Sequence, residues 1–176
     1  GRTAAATHDM VFIGHSMGNI VVRHYLGDLA RQQAWKQSAN AVAADRRAVA
    51  KFHRFVMLAP PNQGALLATV FADNLLVKEI AGDAGQQLGR QWPELEKRLA
   101  TPEFEFGILA GGRGGPKGFN PLLQGDNDAV ISVETAKLAG ARDFLVVPVM
   151  HTFFPDNLQV HHCTLRFLQH GYFVSS

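Results

Sequence analysis

The sequence predicts an α/β protein in which a parallel sheet is flanked by helices. Four short runs rich in β-branched and aromatic residues alternate with longer segments of helical character. The runs are nearly continuous in apolar residues, which is typical of parallel strands buried on both faces. They are Met10–Ile13, Phe55–Leu58, Phe104–Leu109 and Phe144–Val149. Because strands and helices alternate along the chain, we expect right-handed crossovers between parallel strands.

The segments between these runs predict the helices. Residues 19–51 carry a polar, alanine-rich stretch of high helix propensity. Residues 65–99 begin with a strongly apolar half and end in W-P-E-L-E-K-R-L, where Pro93 suits the first turn of a helix. Asn157–His170 predicts an amphipathic terminal helix. Its apolar side is expected to comprise Leu158, His161, Leu165 and Leu168.

The composition fits a single domain over residues 1–176. The chain is 47% hydrophobic and has a formal net charge of +2. Its basic residues are dispersed, with Arg46 and Arg47 the only adjacent pair, so nucleic acid is not an expected partner. Cys163 is the only cysteine, which excludes an internal disulfide. The location stays open, with the cytoplasm slightly favoured by this single cysteine and by the lack of a visible signal segment. Association with a membrane surface is not excluded.

A strand-to-helix junction carries the most informative motif. Met10–Gly18 reads M-V-F-I-G-H-S-M-G and places Ser16 at the centre of G-x-S-x-G. The apolar run predicts the strand, and Asn19–Leu26 has apolar residues at helical spacing. We expect Gly14 and Gly18 to leave room for a sharp turn that exposes the Ser16 hydroxyl as a nucleophile. A glycine-rich turn with a solvated serine is the alternative.

Residues that could activate a serine follow the later strands. Asp126 and Asp128 come after the third run, and His151 ends the fourth in V-V-P-V-M-H. A serine hydroxyl needs a base to take its proton and an acid to hold that base, in the chain order serine, acid, histidine. Either aspartate could be the acid. His161 and His162 are rival bases, but they fall in the predicted terminal helix, where histidines are usually packed or solvated.

Several segments together resemble the lipase and esterase branch of the α/β-hydrolases. They are G-H-S-M-G-N, L-A-P-P-N-Q-G at Leu58–Gly64, N-D-A-V-I-S-V at Asn127–Val133 and the strand-ending His151. The resemblance implies the α/β-hydrolase fold, with Ser16 as nucleophile, Asp128 as acid and His151 as base. Asp126 is then expected to hydrogen-bond its own turn. Ala129 stands where these lipases usually have glycine.

The resemblance also implies supporting residues. The backbone N–H of Met17, at the start of a helix, is expected to be one oxyanion donor. His15 is expected to support the serine turn and is a candidate substrate contact. Asn62 either caps the following helix or faces the substrate. The second oxyanion donor normally comes from an upstream loop, and nothing before His8 could supply it, so we expect the chain to be the C-terminal part of a larger hydrolase that lacks its first strands.

These observations predict a serine hydrolase of carboxylic esters that works through an acyl-enzyme. No charged cluster marks the substrate, so an apolar, lipid-like ester is favoured, with a thioester or amide as variants. Residues 65–99 are either a cap or lid over the site or an ordinary crossover helix. No ligand spacing typical of a metal site occurs, and we expect neither a metal nor another cofactor. The alternative is a catalytically silent domain that binds an acyl ligand or a protein partner.

Overall fold

Four parallel strands lie side by side in the order in which they occur in the chain. A computed structural model describes residues 9–38, 51–63 and 92–174. The strands are β1 (Asp9–His15), β2 (Lys51–Leu58), β3 (Glu105–Gly111) and β4 (Asp143–Val147). The helices are α1 (Met17–Ser38), α2 (Val133–Ala136) and α3 (Leu158–His170), with a 3₁₀ turn at His151–Asp156 and a short helix at residues 92–96. The predicted α/β class is confirmed.

The strand ends differ from the predicted ones for two physical reasons. β2 begins at Lys51, four residues before the apolar run, because its polar first half also joins the sheet. There Arg54 lies opposite Glu105 in the ladder, and its Nε donates to the carboxylate at 2.8 Å. β4 ends at Val147 because Pro148 has no N–H with which to continue the ladder.

The sheet separates two hydrophobic cores. Successive side chains of a strand point to opposite faces, so Phe55 and Met57 enter one core while Val56 and Leu58 enter the other. The first core includes Ile20 of α1, Trp92 and Val130, and the second includes Phe154 and the buried side of α3. The predicted burial on both faces is therefore confirmed for the end of β2 and for β3, whose residues from Phe106 to Gly111 are all buried.

β1 does not follow that pattern. Within the described residues it pairs with β2 alone, and Met10, Val11 and Ile13 are 40%, 42% and 54% exposed. The prediction of burial on both faces is therefore wrong for this strand. Its apolar sequence still identified it as a strand, since β-branched and aromatic residues favour the extended backbone.

The terminal helix forms where predicted but buries a different side. Asn157 caps α3 by accepting from the backbone N–H groups of Gln159 and Val160, and Gly171 ends the helix in the left-handed conformation. The expected apolar side is wrong, because Leu158 and Leu165 are 71% and 57% exposed. The buried residues are Val160, Cys163, Thr164 and Phe167. The Phe167 ring stacks on Phe173 at 4.9 Å, and both rings belong to the second core.

Part of the predicted organisation lies outside the described residues. Of the candidate lid at 65–99, the structure describes only residues 92–99, where Pro93 lies in the first turn of the short helix as expected. Residues 39–50 of the first helical segment also lie outside the described ranges. In the ranges that the structure describes, no helix has the length and apolar character needed to cross a membrane.

An ion-pair group at the amino end of the sheet anchors α3. Glu105 binds both Arg54 and Arg142. The two arginines also donate to backbone carbonyls at the end of the helix, Arg54 to Leu168 at 2.7 Å and Arg142 to Gly171 at 3.0 Å. The hydrogen bond from Arg54 lowers the pKa of Glu105. Positive charge at a helix C-terminus is favourable, so this group fixes where α3 ends.

Replacing Gly107 by alanine is expected to lower the free energy of unfolding by about 2 kcal/mol through overpacking. A Cβ on this residue of β3 would lie 2.4 Å from the Phe167 ring and 2.7 Å from the Phe173 ring. Urea denaturation measures the change. Gly115→Ala is the control, because an added Cβ there meets no described atom within 4 Å. Equal stabilities of the two variants would contradict the close approach of α3 to β3.

Candidate active site

Ser16 is the single residue between β1 and α1. Its φ is 52°, in the left-handed region, so the chain turns sharply there. Its backbone N–H donates to the carbonyl of Leu58 at 2.9 Å, which continues the ladder with β2 beyond the end of β1. The residue is partly exposed. The turn therefore places Ser16 at the carboxyl edge of the sheet, and its role as a nucleophile stays a prediction.

A buried amide holds this turn. Asn19 is 0% exposed, and its Nδ2 donates to the carbonyls of Ser16 at 2.9 Å and Leu58 at 3.2 Å. Gly14 leaves the space for it, because a Cβ there would lie 2.5 Å from Asn19 Oδ1. The close approach expected at Gly18 is not found, since an added Cβ meets no described atom within 4 Å. Sequence reasoning gave Asn19 no role, although a polar residue directly after the motif was the available signal.

Asp128 is fully buried and uses both carboxylate oxygens. Oδ1 accepts from the backbone N–H groups of Val130 at 2.9 Å and Ile131 at 2.6 Å. Oδ2 lies 2.7 Å from Nδ1 of His151. The backbone N–H of His151 also donates to the Asp128 carbonyl at 2.8 Å. Side chain and backbone thus join these two residues, which are separated by 23 positions.

This contact determines the tautomer of His151. A carboxylate only accepts hydrogen bonds, so Nδ1 of His151 carries a proton and donates it to Asp128. In the neutral imidazole the other nitrogen, Nε2, then has its lone pair free. An imidazole held in this way can take a proton from a nearby hydroxyl.

The rival residues have other partners. Asp126 accepts from the backbone N–H groups of Arg113 at 2.7 Å, Gly114 at 2.8 Å and Asn127 at 3.0 Å, so its expected role in the turn is confirmed. His161 bonds the carbonyl of Pro155 on the exposed side of α3. His162 is exposed on the same helix. None of these three is hydrogen-bonded to the Asp128–His151 pair.

His15 lies against the candidate base. Its Nε2 is 3.1 Å from the carbonyl oxygen of His151, and the two ring centroids are 4.9 Å apart. Burial, and then the proximity of His151, lower the pKa of His15, which favours its neutral form. Its support of the serine turn and its contact with a substrate both stay predictions.

Asn62 is bound into the interior. Its Oδ1 accepts from Arg23 at 3.1 Å, and its Nδ2 donates to the carbonyl of Ala136 at 2.9 Å. Arg23 itself is 6% exposed and also donates to the carbonyl of Ala100 at 3.0 Å. These bonds join α1 to the loop after β2 and to α2. A substrate contact of Asn62 stays a prediction, and the buried Arg23 was missed because a lone arginine in a helix has no sequence signal of burial.

Ser16 and His151 are brought to the same edge without a direct bond. Between these two described residues the structure contains no hydrogen bond from Oγ to the imidazole. Catalytic hydrogen bonds are often long in the absence of substrate. Met17 is the first residue of α1, so its N–H has no partner within the helix. Its role as an oxyanion donor stays a prediction. Within the described residues no group of three potential ligands could hold a metal ion.

A non-glycine residue with positive φ lies beside the acid. Ala129 has φ 85°, a conformation that glycine adopts with far less strain. The buried Asn127 stabilises the loop by accepting from the N–H groups of Asn120 at 2.9 Å and Ala129 at 3.1 Å. Ala129, which stands where the lipases that the sequence resembles usually have glycine, therefore lies at a position whose backbone conformation favours glycine.

Among solved structures, the chain is similar in fold to a bacterial lipase. The crystal structure of the mature form of Bacillus licheniformis lipase BlEst2 matches with a TM-score of 0.50 and 18% identity, over 85% of this chain. The chain has an α/β fold similar to that of this lipase. It spans 64% of the length of that lipase. The propeptide form of BlEst2 matches with a TM-score of 0.44 and 15% identity, over 96% of this chain and 37% of that one. No family model matches the chain, and no curated protein matches it in sequence.

Ala129→Gly is expected to raise the free energy of unfolding by about 0.5 to 1 kcal/mol, because the left-handed backbone costs an L-residue more than glycine. Urea denaturation measures the change. The control is Ala100→Gly, at a residue without positive φ. That change should lower stability by about 0.5 to 1 kcal/mol, because glycine makes the unfolded chain more flexible. Equal losses in the two variants would contradict strain at Ala129.

Proposed function

We propose that this chain is a serine hydrolase of carboxylic esters, with Ser16 as nucleophile, His151 as base and Asp128 as acid. One observation carries the proposal. The buried Asp128 carboxylate holds Nδ1–H of His151 at 2.7 Å, which leaves Nε2 free at the edge of the sheet where the Ser16 turn lies. The three residues also follow the chain order of the α/β-hydrolase fold.

The proposed reaction has two stages. Ser16 Oγ attacks the ester carbonyl carbon, and its proton passes to Nε2 of His151. The imidazolium then protonates the departing alkoxide, so an alcohol leaves and an acyl-Ser16 ester remains. Water attacks this ester with His151 again as base, the acid is released, and Ser16 recovers its proton. Asp128 stabilises the imidazolium at each stage.

The oxyanion of each tetrahedral intermediate needs donors. The N–H of Met17 supports this role, because it begins α1 and the helix dipole favours negative charge there. One such donor is worth about 3 kcal/mol of transition-state stabilisation in other hydrolases.

Exposed apolar residues close to His151 in the chain support an apolar ester as the substrate. Met150 directly precedes His151, and Phe153 follows it by two residues. These two residues are 38% and 60% exposed. Exposed aromatic and thioether side chains at a site lower the free energy of binding an acyl chain. We therefore propose an ester with an apolar acyl or alcohol group as the substrate class.

A fluorophosphonate is expected to form an adduct on Ser16, identified by peptide mass mapping. The reagent reacts with a serine oxygen only when a base activates it. His151→Ala should lower the labelling rate by at least about 1000-fold, because the serine and its base act as a unit. His162→Ala is the matched control, since this exposed histidine of α3 is not hydrogen-bonded to the proposed site.

The labelling experiment also tests the silent alternative. A folded wild-type chain that takes no adduct at Ser16 would contradict the hydrolase. Binding of an acyl ligand by that unreactive chain would then favour a catalytically silent domain. Equal labelling of wild type and His151→Ala would likewise overturn the assigned base.

Asp128→Asn is expected to lower kcat about 10⁴-fold, as loss of the acid does in a serine protease. An amide cannot stabilise the imidazolium as a carboxylate does, and it can favour the wrong tautomer of His151. Asp126→Asn is the control, and it should keep kcat within about 10-fold because Asp126 binds only its loop. Hydrolysis of 4-nitrophenyl butyrate measures both. A larger loss in the Asp126 variant would reverse the assignment of the acid.

A further inference from the structure

The peptide groups of His151 are anchored on both sides of the residue. Its N–H donates to the carbonyl of Asp128 at 2.8 Å, and its C=O accepts from Nε2 of His15 at 3.1 Å. Because a carbonyl oxygen only accepts, the His15 ring must carry a proton on Nε2. One anchor therefore comes from the proposed acid, and the other comes from the residue directly before the proposed nucleophile.

Packing fixes the ring that makes the second anchor. The His15 centroid lies 4.9 Å from that of His151, with 39° between the ring planes. It lies 6.2 Å from that of the fully buried Phe154, with 17° between the planes. The titratable groups that face the ring are His151 and Asp128. A neutral His15 donates its hydrogen bond without placing a second positive charge beside the imidazolium of His151.

We propose that His15 is a positioning residue for His151. The proposal rests on the proposed function. Ser16 follows His15 directly, so the bond from the His15 ring to the His151 carbonyl sets how far the base lies from the nucleophile. Asp128 orients the imidazole through Nδ1 but is not hydrogen-bonded to the Ser16 turn. His15 supplies that missing connection across 136 positions of the chain.

Three variants separate the hydrogen bond from the packing. His15→Gln keeps an N–H donor without the ring, His15→Phe keeps a ring without the donor, and His15→Leu keeps neither. With 4-nitrophenyl butyrate, kcat of the Phe and Leu variants is expected to fall about 10- to 100-fold, because a small misplacement of the base has that effect. The KM should stay within about twofold, because a residue that acts through His151 changes the position of the base and not the binding of the substrate. A loss carried by KM alone would overturn the proposal and favour the predicted substrate contact of His15. The Gln variant should recover most of kcat.

A second readout does not depend on turnover. The Nδ1–H of His151, bonded to the Asp128 carboxylate, should give a downfield proton signal in ¹⁵N-histidine-labelled protein, assigned by its loss in Asp128→Asn. The signal is expected in wild type and in His15→Gln, and it should be broadened or lost in the Phe and Leu variants. Thermal unfolding shows that each variant is folded.

The outcomes are distinguishable. Wild-type kcat and an unchanged signal in the Phe and Leu variants would overturn the proposal. So would an active Phe variant beside an inactive Gln variant, because packing of the ring would then be what matters. If wild type hydrolyses no ester and Ser16 takes no fluorophosphonate, the proposed function fails, and the His151 signal still decides whether His15 positions that ring.

Discussion

The buried carboxylate of Asp128 is the group on which the rest of the site depends. A charge at 1% exposure is costly unless it is paired and hydrogen-bonded. Here Oδ1 accepts from two backbone N–H groups, those of Val130 and Ile131, and Oδ2 accepts from His151. The backbone of Asp128 is bonded as well, to the carbonyl of Ile131 and to the N–H of His151. The need to satisfy one buried charge therefore fixes the turn that carries it and the orientation of the ring that faces it.

Backbone strain is concentrated at the same edge of the sheet. Among the residues that the structure describes, three that are not glycine have positive φ, Ser16 at 52°, Ala59 at 44° and Ala129 at 85°. Each such conformation costs about 1 to 2 kcal/mol for an L-residue. Ordered bonds offset part of that cost, because the N–H of Ser16 continues the ladder to β2 and the N–H of Ala59 bonds the carbonyl of Leu109 in β3 at 2.8 Å. Strained residues held by the surrounding structure are typical of functional sites.

The sequence predicted the elements that depend on local pattern. The apolar runs of β2, β3 and β4 located these strands to within a few residues, although β4 is mostly half-buried at the edge of the described sheet. The loop role of Asp126 followed from the turn chemistry of an aspartate before Asn127. The start of β2 was less predictable, because the polar Arg54 joins the sheet through pairing with residues of other strands, Val11 in β1 and Glu105 in β3.

Features that depend on tertiary packing were not predictable in this way. In α3 both sides of the helix carry apolar residues, and the side that packs on β2, β3 and β4 in the second core is the buried one. The bond from His15 to the carbonyl of His151 joins residues 136 positions apart and leaves no local pattern. Asn19 was visible as part of the motif, but its two backbone acceptors lie in the Ser16 turn and at the end of β2.

The orientation of α1 is set by polar bonds on its buried side. Asn19 and Arg23 lie one helical turn apart, and both are buried. Asn19 binds the end of β2, and Arg23 binds Asn62 in the following loop and the carbonyl of Ala100. Apolar contacts are non-directional and would allow a helix to slide or rotate, whereas these hydrogen bonds fix both angle and register. Because the N–H of Met17 points along the axis of this helix, the same bonds that hold α1 also direct the proposed oxyanion donor.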